Sequence, residues 1–232
     1  MPTDDMAQEL MVRWNDTLPG QEEVGAALLA RYAEPHRRYH TVAHLAQVLQ
    51  TIDELAAAED LFLVRLAAWF HDAVYAVPPG QLPNEEASAR LALRELSRVG
   101  LEQEDLTQVA RLVRLTATHV PGSRDPEGEL LCDADLAILA AQPDDYAAYA
   151  AAIRAEYAHV PEPDFVAGRL EILTRLAEGE IFRTSKGRAL TAAARANLAA
   201  ECAALETRLT AMGVPAAHRD QPTASGRGRA ER

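Results

Sequence analysis

The chain is poor in the residues that staple a fold or anchor it to other structures. Its 232 residues include two cysteines, Cys132 and Cys202, too few for a disulfide framework. A reducing cytoplasm is the expected setting. Aromatics are scarce, with 4 Phe and 2 Trp. No stretch alternates apolar and polar residues with a period of two, so strands are not expected. No apolar run reaches the roughly 20 residues needed to cross a bilayer. The acidic opening MPTDDMAQEL lacks the charged-then-apolar pattern of a leader, so neither a membrane nor export is expected. Basic residues are outnumbered, 23 against 35 acidic, for a formal net charge of -12. Such a surface repels nucleic-acid backbones and anionic membranes, so no stable nucleic-acid binding is expected.

Alanine and leucine dominate, and both favour helices. Apolar spacing predicts helices over about 5–15, 21–33, 39–55, 61–75, 103–118, 130–141, 143–157, 164–178 and 184–212, with another from a cap at Asn84 to Gly100. Pro35, the loop containing Pro78 to Pro83, residues 120–128, and Pro161 with Pro163 separate them. No repeat and no linker divides the chain. The expectation is one all-α domain of eight to ten helices over 1–213. A Gly-, Ser-, Pro- and Arg-rich tail over 214–232 is expected to be disordered.

The stretch from Leu61 to Tyr75 is almost wholly apolar, yet it contains His71 and Asp72. A carboxylate buried there is costly unless it is paired or bound to a cation. A neutral imidazole nitrogen beside a carboxylate oxygen suits a divalent metal. Three further segments stand out: Tyr39 to His44, Thr118–His119, and Asp133 to Leu136. On a helix, His40 and His44 would lie one above the other, so that one can hold an ion while the other faces a ligand beside it. Asp135 would supply the far side. Asp133 reads as a capping or solvated group. His119 reads equally as a C-terminal cap or an extra site residue. His36, His159 and His218 read as surface residues.

The order H…HD…D on successive helices resembles the HD superfamily of metal-dependent phosphohydrolases. It is most similar to small bacterial proteins described as predicted HD-superfamily phosphohydrolases. The segments that carry the resemblance are EPHRRYHTVAHLAQVL, LAAWFHDAVY, PNEEASA, LLCDADLAIL, IRAEY and FVAGRLEIL, over roughly 34–175. The resemblance implies an HD-type helical bundle with His44, His71, Asp72 and Asp135 as metal ligands. Residues 39–44 are also similar to the YHNxxH motif of cyclic-nucleotide phosphodiesterases, with Thr41 in place of Asn. That similarity implies that His40 is the proton donor to the leaving oxygen. The Glu found three residues after the HD pair in several nucleotidases is replaced by Tyr75. Glu85 stands as a substitute carboxylate, with helix capping as the equal alternative.

The resemblance implies hydrolysis of a phosphomonoester or phosphodiester, with a small phosphorylated molecule as partner and a nucleotide as the favoured class. The acidic surface does not oppose this, because a metal and a few arginines reverse the field locally. The candidates for substrate contact are Arg37, Arg38, His119, Arg154, Tyr157 and Arg169. Two His and two Asp suit Mn, Fe, Ni, Co or Zn, and Mg less well. One firmly held ion is expected, because only His119 is left as an extra imidazole. The alternatives are a di-iron oxygenase in the same scaffold and a metal-stabilised binding module without activity. A homodimer is left open.

Overall fold

The computed structural model describes residues 2–56 and 61–213. Among these residues there are ten α-helices, two short 3-10 segments and no strand. The helices are α1 (Pro2–Thr17), α2 (Glu22–Tyr32), α3 (Val42–Leu55), α4 (Phe62–Phe70), α5 (Asn84–Arg98), α6 (Gln103–Leu115), α7 (Pro126–Asp135), α8 (Pro143–Glu156), α9 (Glu162–Glu178) and α10 (Thr191–Ala211). The 3-10 segments cover Leu136–Ala140 and Gly187–Leu190. No described helix is long and apolar enough to cross a membrane. The expectation for 214–232 lies outside the described residues.

The apolar α4 organises the larger of two cores. Val64, Leu66, Ala67, Ala68, Trp69 and Phe70 are all buried there. α1, α2, α3, α5, α6 and α7 supply the side chains around it. The large aliphatic and aromatic residues each contribute about 1.5–3 kcal/mol by leaving water. Trp14 meets Trp69 edge-on, with ring centroids 5.1 Å apart. The indole of Trp14 lies where a Cβ at Gly25 would be, so only glycine fits there.

The smaller core is built from the 3-10 segment after α7 together with α8, α9, α10 and the strap Ile181–Phe182. Polar ties join it to the larger core. The fully buried Asp133 accepts from the backbone N–H groups of Arg183 and Thr184 and from the Thr184 hydroxyl. The Lys186 ammonium donates to the carbonyls of Glu54 and Ala56 at the end of α3. Glu156 reaches from the end of α8 to the backbone of residues 38–40.

Several predicted helix ends move, and each move has a partner that causes it. The helix expected over 39–55 begins only at Val42, because Glu156 holds the N–H groups of Arg38, Tyr39 and His40 in a turn around its carboxylate. His40 therefore does not share a helix face with His44. The helix expected over 61–75 stops at Phe70, and Arg37 takes the carbonyls of Asp72 and Ala73 beyond it. Asn84 is not a cap. It is the first residue of α5, and its amide both accepts from and donates to the backbone of Ala76. The α7 helix opens at Pro126 rather than near 130, capped by Asp125, which accepts from Gly128 N–H and is bound by Arg111. The last predicted element divides into Gly187–Leu190 and α10.

Candidate metal centre

Helix ends bring the ionisable groups together. His44 lies in the first turn of α3, His71 follows the last residue of α4, Asp72 comes next, and Asp135 is the last residue of α7. His44 Nε2 is 3.1 Å from His71 Nε2, 3.5 Å from Asp72 Oδ2 and 3.2 Å from Asp135 Oδ1. His71 Nε2 is 3.1 Å from Asp72 Oδ2 and 3.6 Å from Asp135 Oδ1. His44, His71 and Asp72 form the tightest donor triad, and Asp135 joins through both imidazoles.

These separations pass a simple test. Ligands about 2.0–2.2 Å from one ion lie about 3.0 Å apart at right angles and about 3.4 Å apart at tetrahedral angles. The five donor separations fall in the same range. The Nδ1–H of His71 donates to the Ala68 carbonyl at 2.7 Å, so in the neutral ring Nε2 carries the lone pair. Two nitrogens and two carboxylates facing one point need a cation among them, whether protons or a metal.

The electrostatics agree with that need. Burial opposes charge on His44, but its hydrogen bonds to Asp135 and Asp72 outweigh it and raise its pKa. Burial likewise opposes charge on His71, and Asp72 overrides it, so its pKa lies well above the usual imidazole range. Burial favours the neutral acid at Asp72 and Asp135, yet the His71 charge dominates both and holds them well below the usual carboxylate range. The site opens on one side. The imidazoles of His44 and His71 are 3% and 1% exposed, whereas His40 and His119 at the mouth are 19% and 20% exposed.

His40 stands beside the donors and not among them. Its Nδ1–H donates to Glu156 Oε2 at 2.8 Å, and its ring stacks on Tyr75 with centroids 4.1 Å apart. The Tyr75 hydroxyl donates to the same Glu156 oxygen at 3.0 Å. Glu156 thus accepts three backbone N–H groups, one imidazole and one phenol. Burial raises its pKa, but the His40 hydrogen bond and the N–H groups prevail and bring it to about 2. Sequence reasoning missed Glu156 as a site residue. A signal existed: Tyr146, Tyr149, Ile153 and Glu156 recur at helical spacing along α8, an acid in an inward-facing stripe.

The other candidates divide. His119 Nε2–H donates to Asp135 Oδ2 at 2.8 Å, which places the ring at the centre. Arg37 is a correction. Its buried guanidinium donates to Glu34 and to the carbonyls of His40, Asp72 and Ala73, so no N–H remains for a substrate. Arg154 donates one bond each to Glu162 and the carbonyls of Tyr157 and Val160, bracing the α8–α9 connection. Arg38 turns onto the carbonyls of Pro35 and Arg37.

Arg169 grips Glu201 through two nitrogens and donates to the Tyr149 hydroxyl. It stands two rings away from His44, through Tyr149 and Tyr39. Tyr157 hydrogen-bonds Tyr75 and so borders the His40 pocket. Glu85 lies in the first turn of α5 and makes no hydrogen bond or ion pair with the four donors. Asp133 caps backbone, one of the two roles expected for it, although it is buried and not solvated. Comparison with protein-family models, curated proteins and solved structures returns no match, so the functional reading rests on the residues of the chain itself.

Proposed function

We propose that the chain is an HD-type, metal-dependent phosphohydrolase acting on a small phosphorylated substrate, with nucleotides the favoured class. The observation that carries this reading is the convergence of His44, His71, Asp72 and Asp135 at 3.1–3.6 Å, with a fixed imidazole beside them. These four residues would hold a divalent ion. When bound, it would supply Lewis acidity to a phosphoryl oxygen and lower the pKa of a water.

The remaining work belongs to the chain. Glu156, ionised at neutral pH, keeps the Nδ1 of His40 protonated. With Nδ1 committed to Glu156, the imidazolium form carries its second proton on Nε2, and that proton passes to the departing oxygen, leaving a neutral ring. Tyr75 fixes the plane of the ring by stacking on it. Tyr39 packs edge-on to His40 and against His44.

The test is to load the purified chain with Mn2+ and screen phosphomonoesters, phosphodiesters and nucleotides for phosphate release without oxygen. Turnover under these conditions is expected. Strict dependence on oxygen with two irons per chain would overturn the reading in favour of an oxygenase. Ion binding without hydrolysis of any ester would leave a binding module.

A further inference from the structure

Most arginines of this acidic chain are already engaged. Arg37 and Arg154 are held by carbonyls and carboxylates, and Arg169 is held by Glu201 and Tyr149. Arg183 differs. Its Nη1 donates to the His119 carbonyl at 3.2 Å, and the nearest carboxylate, Glu180, is 3.9 Å away, beyond hydrogen-bonding distance. One of its five N–H groups is spent, and the guanidinium is only 18% exposed.

Its placement is also unusually well determined. Ile181 and Phe182, just before it, are buried in the smaller core. Asp133 accepts the backbone N–H of Arg183 itself at 2.9 Å and that of Thr184 at 2.8 Å. Gly187 closes the same turn by donating to the Thr184 hydroxyl, and a Cβ there would overlap the Asp133 carboxylate. Lys186 ties the turn to the end of α3. Asp133 and Asp135 both lie in α7, so one helical turn presents Asp135 to the donors and holds the backbone of Arg183. His119 bridges Asp135 and Arg183, and its φ of 53° closes the turn after α6, where its N–H donates to the Leu115 carbonyl at 2.9 Å. Its ring meets Asp135 while its carbonyl meets Arg183.

We propose that Arg183 is the phosphate-reading residue of this site, taking substrate phosphate oxygens through its unspent N–H groups on the His119–Asp135 side of the mouth. This inference rests on the phosphohydrolase reading. A planar fork held by a pinned backbone loses little freedom on binding and suits two phosphate oxygens at once.

The experiment uses the full chain loaded with Mn2+, with inorganic phosphate titrated calorimetrically into the wild type, Arg183→Gln and Arg183→Lys. Glutamine keeps a donor for the His119 carbonyl, and the Asp133 clamp uses only backbone, so both variants are expected to retain fold and ion content. Phosphate affinity should fall at least about tenfold in Arg183→Gln and by less in Arg183→Lys. KM for a nitrophenyl phosphate should rise in parallel. Unchanged phosphate affinity in both variants overturns the inference and leaves the phosphohydrolase reading standing. Hydrolysis by a wild type that binds no phosphate overturns it equally. Absence of both phosphate binding and hydrolysis in the wild type overturns both proposals.

Discussion

Glu156 and His40 are 116 residues apart in the chain and 2.8 Å apart in space, joined by one hydrogen bond from imidazole to carboxylate. The same carboxylate holds the backbone of residues 38–40 out of α3. One side chain therefore sets where the turn runs and how the ring on it is turned.

Glu156→Gln is expected to keep ion binding and to lower turnover by roughly ten- to a hundredfold, because the amide no longer holds the Nδ1 proton as an anion does. Stability should change with pH as well. The folded carboxyl titrates at about 2, below its ordinary 4.5. Its contribution is therefore present above pH about 4.5 and lost as pH falls through about 2. Denaturant midpoints at pH 7 and pH 3 should fall further apart in the wild type than in Glu156→Gln. An equal fall in both would refute the linkage.

Asp72→Ala is expected to abolish binding of a divalent ion and remove the thermal stabilisation that the ion confers. Equilibrium dialysis against Mn2+, followed by metal analysis, checks it. About one tightly held ion per wild-type chain is expected. Full occupancy in the variant removes Asp72 from the ligand set.

His40→Ala should retain the ion and its melting temperature while turnover falls by roughly two to four orders of magnitude. The loss should shrink on nitrophenyl esters, whose leaving group needs little protonation. Equal losses on good and poor leaving groups would count against the acid role.

Gly187→Ala should destabilise the fold by about 1–3 kcal/mol, since the added methyl overlaps a buried carboxylate that cannot move without releasing its four donated bonds. Urea unfolding measures this. A variant as stable as the wild type would mean that the 183–187 turn is not pinned as described.

The residues legible in advance were those whose neighbours in sequence made them odd. His71 and Asp72 are ionisable groups in an apolar stretch. Asp135 lies two residues beyond Asp133 in the apolar run LLCDADLAIL, and these local contrasts mark side chains that the fold brings together. Glu156 and Arg183 gave little such contrast, because what matters about them is a partner 116 or 64 residues away. Arg37 was misread for a related reason. A guanidinium on carbonyls and one on phosphate look the same in a sequence, and only the fold shows where the carbonyls are. Two of the helix ends that moved, at 39–41 and 71–75, lie beside the donors. There Glu156 and Arg37 take backbone groups that a helix would otherwise use. Lys186, the one lysine of the sequence, caps α3.

The four donors all come from helices of the larger core, while Glu156 and Arg183 come from the smaller one. Under the proposed phosphohydrolase reading, holding an ion and turning over a substrate would draw on different halves of the molecule. A chain whose halves part slightly keeps its four donors and loses the grip on His40. Under that reading, mutations deep in either core, far from any reacting atom, would silence the proposed chemistry by letting the seam breathe, while ion content and most of the fold persist.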